Sequence, residues 1–447
     1  MTSYAERIAR FPVHRPRPQG AELPLQGLRI VDFTHYIAGP LATMMLADMG
    51  AEVVKVEFPG KGDDFRQYPP YMNELEGGPP FAWTNRNKRS VALDLKSPEG
   101  VDLARQLIAK ADVVVENFST GVVQRLGLDW DTVREGHPGL VYCSVSAYGR
   151  DGSFKDRLGF DPIAQAESGF ISMNGYADRE GVRALSPVMD ISTAMMACNA
   201  ILGALVARSH TGQGQAVEVS LFDNALFMTG YAPMQELFTG KAPQRFGNDS
   251  PDSCPSGLFR AADRSFLINC GNSQIFRRLM IDVLCLPQVA DDPRFATNKD
   301  RLARREELFR TIQSEFEKHP FAHWLPLMRA AAIPCGELRT VNEAITSPEA
   351  LERGIVSRIP HETLGWVPNV ALPIRYGRTP LADPVAAPRI GQHTAEVLAD
   401  WLGRAESQAA VAGDAPSHQV AATTAGESTP VAPVVPRPTD PRAGAGA

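Results

Sequence analysis

The sequence predicts an α/β protein with a doubly wound, mostly parallel sheet in a Rossmann-like large domain, together with a smaller α+β domain. Short runs of β-branched residues recur along the first half of the 447-residue chain. One helical segment separates each run from the next, as expected for parallel strands joined by right-handed crossovers. After residue 240 the pattern changes to short strands mixed with amphipathic helices.

The first strand–helix–strand unit lacks a glycine-rich loop. "LRIVDFT" (28–34) and "AEVVKVE" (51–57) are typical of strands, and residues 40–49 between them favour a helix. The chain enters this helix through Gly39-Pro40, without the GxGxxG pattern that holds a dinucleotide phosphate. The unit therefore resembles a nucleotide-binding motif without its usual phosphate loop.

The next units repeat the alternation. "VALDL" (91–95) is a predicted strand, followed by a helix with Ser97 as N-cap and Pro98 at its first position. "DVVVEN" (112–117) is the next predicted strand, and a helix in "TGVVQRLGLDWDTVREG" leads to the strand "LVYCSVSAYG" (140–149). Parallel pairing of these strands is expected.

The remaining segments define the predicted domain limits. "PIAQAESGFISMNG" favours a helix, and a long helix rich in small residues follows until Gly212 ends it, before the strand "AVEVSL" (216–221). The tail is rich in Ala, Pro, Gly and Thr and is predicted to be disordered. The predicted organisation is a lead-in at 1–25, a large domain at 26–225, a small domain at 240–335, a return to the large domain at 336–403 and the tail at 404–447.

Composition argues against several classes of partner. The formal net charge of −6 provides no basic field for nucleic acid or anionic lipid. No apolar run reaches the roughly 20 residues of a membrane helix, and the N-terminal residues lack a signal-peptide core. The six cysteines show no paired spacing and the histidines show no HExxH pattern. These features predict a cytoplasmic protein with reduced thiols, no metal site and no membrane or nucleic-acid partner.

Familiar catalytic motifs are missing. "GKG" (60–62) and "GQG" (212–214) do not extend to GxGxxG or GK[ST], and no GxSxG occurs. Dinucleotide, nucleoside triphosphate and α/β-hydrolase chemistry are therefore disfavoured. The acidic pair Asp63-Asp64 is interpreted as a solvated turn.

Asp190, in "LSPVMDISTAMM", has two interpretations. It stands at the predicted start of the long helix, where an aspartate commonly caps backbone N–H groups. The helix dipole and the same N–H donors would also hold the carboxylate ionised, and an ionised carboxylate can act as a covalent nucleophile. Its position alone does not separate cap from catalyst.

A series of motifs resembles the class III CoA-transferases, the family of formyl-CoA:oxalate and carnitine CoA-transferases, to which α-methylacyl-CoA racemases are related. The resemblance runs from about residue 26 to 403. Its motifs are "DFTHYIAGPLATMMLADMGAEVVKVE", "GDDFR", "NRNKRSVALDLKSPEG", "VVVENFSTGVVQRLGL", "YCSVSAYGRDG", "GFDPIAQAESG", "TGQGQAVEVSL", "IPCGEL" and "GQHT". It implies an interlocked, ring-like homodimer, coenzyme A thioesters as substrates and no permanently bound cofactor.

The resemblance assigns site residues by motif match. Asp190 matches the nucleophilic aspartate, 30 positions after Phe160. Phe58 stands where the family has an arginine. Leu93, Lys96 and Arg125 also have structural interpretations, as a core residue, a surface charge and a helix-face ion pair. The residues implied to bind coenzyme A are Tyr36, Ile37, Ala38, Leu93, Lys96, Asn117, Phe118, Arg125 and Phe160.

The implied chemistry is acyl transfer through Asp190. An aspartyl–acyl anhydride and then an aspartyl–CoA thioester would form, with backbone N–H groups near the helix start stabilising each oxyanion. One alternative is a racemase, which is disfavoured because "GFD" (159–161) has phenylalanine where that branch has a histidine base, and Ser273 replaces its glutamate. The other is a CoA-ester-binding protein in which Asp190 is only a cap.

Substrate identity is less defined. The resemblance suggests a dicarboxylate such as succinate, with Arg150, Arg157 or Arg183 as candidate ligands for a distal carboxylate. Oxalate is disfavoured, because Ile37 replaces a glutamine and "GNDSPDSCPSG" replaces a four-glycine loop of that branch.

Overall fold

The computed structural model describes residues 3–404. The predicted disorder of the tail therefore concerns residues outside the described range, apart from Arg404.

A six-stranded parallel sheet forms the centre of the large domain, in the order β3-β2-β1-β4-β5-β6. The order reverses between β1 and β4, since β2 and β3 extend to one side of β1 and β4 to β6 to the other. The predicted parallel α/β sheet is confirmed. Its strands are β1 (Arg29–Asp32), β2 (Glu52–Glu57), β3 (Lys88–Ala92), β4 (Val113–Glu116), β5 (Val141–Ser146) and β6 (Ala216–Ser220).

Both faces of this sheet are covered by helices. Ile30 packs into the core on one face and its neighbour Val31 into the core on the other, as the two-residue period of a strand requires. Apart from α1, before β1, the helices of this part connect or follow its strands. They are α1 (Tyr4–Ala9), α2 (Ala38–Asp48), α3 (Pro79–Asn85), α4 (Pro98–Ile108), α5 (Val122–Leu126), α6 (Trp130–Val133), α7 (Asp161–Glu167), α8 (Phe170–Met173), α9 (Val188–Thr211), α10 (Leu221–Phe227) and α11 (Ala232–Thr239).

Two elements differ from their predicted limits. The third strand begins at Lys88, three residues before the predicted "VALDL", and pairs with β2 along its whole length. The helix predicted after β4 is divided into α5 and α6, because Gly127 adopts a left-handed conformation with φ 60° and ends α5. Ser97 caps α4 as predicted, since its side chain accepts a hydrogen bond from Gly100 N.

Helix α9 has 24 residues, and its length and apolar composition alone would allow it to cross a membrane. Core helices of other proteins pass the same test. One side of α9 packs into the core beside α2, through Ala194, Ala197 and Ile201. Gly212, with φ 71°, ends the helix as predicted.

The segment after residue 250 has its own hydrophobic core, formed by residues between Cys254 and Cys335. An antiparallel sheet of β7 (Ser256–Arg260), β8 (Ser265–Asn269) and β9 (Cys335–Glu337) packs there with helices. Because β9 pairs with β8, the "IPCGEL" strand lies in this smaller sheet. The helices are α12 (Ser273–Arg278), which runs into a π-helical turn, α13 (Pro287–Ala290), α14 (Asn298–Ala303), α15 (Arg305–Phe316) and α16 (Phe321–Ala330).

The last described residues return to the large sheet. Helices α17 (Val341–Ile345) and α18 (Pro348–Glu352) precede a hairpin of β10 (Val356–His361) and β11 (Gly365–Val370). Helix α19 (Thr394–Leu402) then packs against α4 and β3, where Leu398 and Trp401 join the core. The predicted domain limits remain predictions.

Candidate active site

The candidate site lies beyond the carboxyl ends of β1 and β4, where the strand order reverses. Open α/β sheets bind ligands in the crevice at such a point. Asn117, after β4, joins the two loops: its Oδ1 accepts a hydrogen bond from His35 N at 2.8 Å, and its Nδ2 donates to His35 O at 2.9 Å. The side chain of Asn117 therefore holds the loop after β1 in place.

The loop after β1 contains a tyrosine in the left-handed conformation instead of the glycines of a GxGxxG loop. Tyr36 has φ 66°, a conformation that residues other than glycine seldom adopt. Its N–H donates to Asp63 Oδ1 at 3.1 Å, and the same oxygen accepts from Phe65 N at 2.9 Å. A Cβ at Gly39 would collide with the Thr34 side chain, which explains the glycine at the helix entrance.

Asp63 is completely buried, so its interpretation as a solvated turn residue was wrong. Lys55 Nζ lies 2.9 Å from Asp63 Oδ2 and donates to Thr34 O at 2.6 Å. Burial alone would raise the pKa of Asp63, but the Lys55 ammonium, His35 and the Phe65 N–H together outweigh it and hold the pKa below its ordinary value. The buried ion pair between Lys55 and Asp63 therefore supports the loop after β1.

A cavity of about 230 Å³ adjoins the loop, and we call it the Asp190 cavity. It brings together the predicted nucleophile and six of the predicted coenzyme A ligands. The Phe160 and Tyr36 rings both line it and pack edge to face against each other, with centroids 5.7 Å apart. The predicted site residues that line it are Asp190, Tyr36, Ile37, Ala38, Asn117, Phe118 and Phe160.

A second cavity of about 390 Å³ shares His35 and Phe118 with the first, and we call it the Lys96 cavity. The predicted residues Leu93, Lys96 and Arg125 line it together with Phe118. Leu93 is also a buried core residue, which confirms its structural interpretation, and its contact with coenzyme A stays a prediction. Lys96 Nζ lies 5.1 Å from the centroid of the Phe58 ring, which also lines this cavity.

Asp190 is the third residue of α9 and not its N-cap, which is Pro187. The capping interpretation was therefore wrong. The carboxylate that caps the helix belongs to Asp161: its Oδ2 accepts from Met189 N at 2.7 Å and from Asp190 N at 3.3 Å. Gln165 donates to the other oxygen of Asp161 at 2.5 Å and accepts from Ala184 N at 2.8 Å.

The environment of Asp190 corrects two further expectations. Burial, and then the negative charge of Asp161, raise the pKa of Asp190 to about 7, so the helix start does not hold it ionised as strongly as expected. The N–H groups of Val188, Met189 and Asp190 already donate to protein acceptors. The start of α9 therefore does not provide the predicted oxyanion donors.

Several residues in and beside the Asp190 cavity were not predicted. His35 and Lys155 line the cavity but were not singled out, and Asp161, which accepts from the Asp190 N–H, appeared only as part of "GFD". Of the predicted carboxylate ligands, Arg150 lines the cavity but pairs with buried Glu116 at 2.8 Å. Arg157 lines it and pairs with Glu167, whereas Arg183 lines neither cavity. Lys155 has no ionic partner among residues 3–404.

Known proteins are similar to this chain in sequence and in architecture. The chain is 37% identical over 382 residues to the succinate–glutarate CoA-transferase of Agrobacterium fabrum, covering 84% of this chain and 95% of that protein. It is 38% identical over 344 residues to the acetyl-CoA:oxalate CoA-transferase of Acetobacter aceti, covering 76% and 86%. The crystal structure of a CAIB/BAIF family protein from Brucella suis superposes with a TM-score of 0.77 at 33% identity, covering 85% of this chain and 100% of that one.

The family model of the CoA-transferase family III matches residues 25–394, from the start of the large domain to the beginning of α19. The match includes the switch-point crevice, both cavities and Asp190. This chain belongs to CoA-transferase family III.

Proposed function

We propose that the protein moves coenzyme A from an acyl-CoA donor to an acceptor carboxylic acid, with Asp190 as the covalent nucleophile. The supporting observation is that Asp190 and six of the residues expected to bind coenzyme A line one cavity, and that the other expected residues line the adjoining Lys96 cavity. The thioester would reach Asp190 with its nucleotide in the Lys96 cavity. Neither metal nor nucleoside triphosphate takes part in the proposed sequence.

The proposed steps retain the energy of the thioester bond. The Asp190 carboxylate attacks the donor thioester carbonyl, forming an aspartyl–acyl anhydride and releasing CoA thiolate. The thiolate attacks the aspartyl carbonyl, so that the donor acid leaves and an aspartyl–CoA thioester remains. The acceptor carboxylate then attacks this thioester to form a new anhydride, and the released thiolate attacks the acceptor acyl carbonyl, which regenerates Asp190.

The two cavities have different proposed tasks. Lys96 and Arg125 supply positive charge for phosphates in the Lys96 cavity, while Leu93 and Phe58 offer apolar surface to the adenine or the pantetheine chain. The N-terminal end of α2 lies in the Asp190 cavity through Ile37 and Ala38. Its positive dipole end would stabilise a developing oxyanion. Asn117 acts by holding the loop between the cavities.

We propose that the transferred coenzyme A moves between dicarboxylic acids. The named relatives act on succinate, glutarate and oxalate. Since Arg150 and Arg157 are paired with glutamates, Lys155 is the best placed cation for a distal carboxylate. A chromatographic screen of CoA esters against succinate, glutarate, oxalate and matching monocarboxylates tests this proposal. Lys155→Met should raise KM for the dicarboxylates about 10-fold and leave KM for the monocarboxylates unchanged; exclusive use of monocarboxylates contradicts the proposal.

We also propose that the chain works as a cytoplasmic, interlocked homodimer. Large apolar side chains are exposed on the chain, including Leu237 and Phe238 on α11 at 82% and 83% exposure. An apolar surface of this kind is unusual for a monomer and favours burial against a second copy. The absence of a membrane partner remains part of the proposal.

The covalent mechanism is tested by mass analysis of the protein after incubation with succinyl-CoA. A CoA or succinyl adduct on the peptide that contains Asp190 is expected, and Asp190→Asn should abolish both adduct and turnover. Asp223→Asn is a matched control, because Asp223 is the third residue of α10 as Asp190 is of α9. Turnover that survives Asp190→Asn contradicts the mechanism. Exchange of the α-hydrogen in D₂O without CoA transfer would indicate a racemase instead.

A further inference from the structure

In the part of the chain that the structure describes, the start of α9 brings no hydrogen-bond donor to the Asp190 carboxylate. An acidic side chain at the third position of a helix ordinarily turns back to the N–H of the N-cap residue. Here the N-cap is Pro187, which has no N–H. Among residues 3–404, no hydrogen bond to the Asp190 side chain is present, whereas its backbone N–H donates to Asp161.

Asp161 supplies the missing cap from another helix. It is the first residue of α7, it is only 6% exposed, and both of its oxygens are engaged by Gln165, Met189 and Asp190. Gln165 bonds to Ala184 through both its oxygen and its nitrogen, which ties the segment before α9 to the same network. The network fixes the backbone of Asp190 while leaving its carboxylate free.

We propose that Asp161 is a positioning residue that holds the Asp190 backbone at the cavity and keeps the Asp190 carboxylate strongly basic and nucleophilic. The inference rests on the proposed function. Two like charges in a buried site disfavour ionisation of one of them, and a carboxylate without hydrogen-bond donors is a stronger nucleophile than a capped one. The raised pKa of Asp190 agrees with this arrangement.

Other charged groups are close enough to be considered. After burial, Asp161 is the charged group that raises the pKa of Asp190. The elements packed on the start of α9 carry Glu167 on α7, Asp223 on α10 and Glu218 on β6, and the cavity wall itself carries His35, Arg150, Lys155, Asp156 and Arg157. Asp161→Asn removes one charge while preserving shape and an acceptor oxygen.

The test is the pH profile of kcat/KM for succinyl-CoA in the full-length protein. In Asp161→Asn the acidic limb should move to lower pH by about one unit and the rate at pH 8 should fall about 10-fold. A purely structural role would lower the rate without moving the limb. An acidic limb that stays in place in Asp161→Asn overturns the inference.

A second variant tests the same idea without touching Asp161. Pro187→Ala restores an N–H at the N-cap, to which Asp190 can then bond, so the acidic limb should again move to lower pH. If Asp161→Asn does not fold, Pro187→Ala is sufficient by itself: an acidic limb that stays in place in this variant overturns the inference. Mass analysis separates the two proposals: a wild-type protein without an Asp190 adduct contradicts the covalent mechanism, whereas an adduct with unmoved limbs contradicts only the role of Asp161.

Discussion

The carboxyl group of Asp190 destabilises the folded chain when it is ionised. Its pKa is raised to about 7 by burial and by Asp161, whereas an ordinary aspartate titrates near 3.8. The folded chain therefore holds a proton at Asp190 more tightly than the unfolded chain does. The stability associated with this group is complete below the unfolded pKa and is lost as pH rises through the folded pKa. Such stored cost is common at catalytic positions.

Asp190→Asn should consequently stabilise the protein in a pH-dependent way. At pH 8 the variant should be more stable than the wild type by about 1 to 3 kcal/mol, because a neutral amide replaces a partly buried charge, and the difference should shrink towards pH 5. Thermal melting at both pH values measures it. Asp223→Asn, which changes an exposed carboxylate at the same helix position, should show no such trend. A wild type more stable than Asp190→Asn at pH 8 would contradict the raised pKa.

At the level of secondary-structure elements, the site depends on how β1 and β4 are joined. The loop after β1 is held from one side by Asn117 and from the other by Asp63, whose charge is balanced by Lys55. These bonds allow Tyr36 to keep its positive φ without glycine. The elements therefore determine the shape of both cavities.

Asn117→Ala should loosen this loop more than it destabilises the protein. Two hydrogen bonds to His35 are lost, which costs about 1 to 3 kcal/mol. We expect KM for acyl-CoA to rise about 10-fold or more, because Tyr36 and His35 are no longer held. Asn174→Ala is the matched control, since the Asn174 amide donates to Val182 O on the exposed surface. An unchanged KM in Asn117→Ala would show that the loop is held by other contacts.

The buried ion pair below the loop should be essential to folding. Lys55→Met leaves the buried Asp63 carboxylate without its cation, and removing one partner of such a pair costs about 3 to 5 kcal/mol. We expect little soluble protein or a large fall in melting temperature. Lys61→Met is the control, because Lys61 pairs with Asp64 on the exposed surface and should change stability by less than about 1 kcal/mol. Equal melting temperatures for the two variants would contradict the proposed dependence.

At the scale of the whole molecule, the exposed apolar side chains among residues 3–404 support the proposed homodimer. Light scattering should give a mass of about twice 48.6 kDa. The mass should persist on dilution, because interlocked chains separate only by unfolding. An active species of 48.6 kDa would contradict the proposed homodimer.

Most of the sheet could be predicted because its strands are short runs of β-branched residues and its helices follow standard boundary rules. β1, β2, β4, β5 and β6 lie within their predicted segments, and Ser97 and Gly212 delimit their helices as expected. The start of β3 was missed, since "NKRS" has no strand composition and the strand depends on pairing with β2. Gly127 could not be recognised as a helix end because isolated glycines also occur inside helices.

The chain alone therefore specified the parallel sheet, the family resemblance and part of the lining of the two cavities, since local pattern and motif order carry that information. The assembly of Asp190, Asp161 and the two cavities arose from contacts between segments distant in sequence. Hydrogen bonding and burial at a carboxylate depend on which groups the fold brings near it. For this reason the folded structure, and not the order of residues, assigned the helix cap to Asp161 and left Asp190 uncapped.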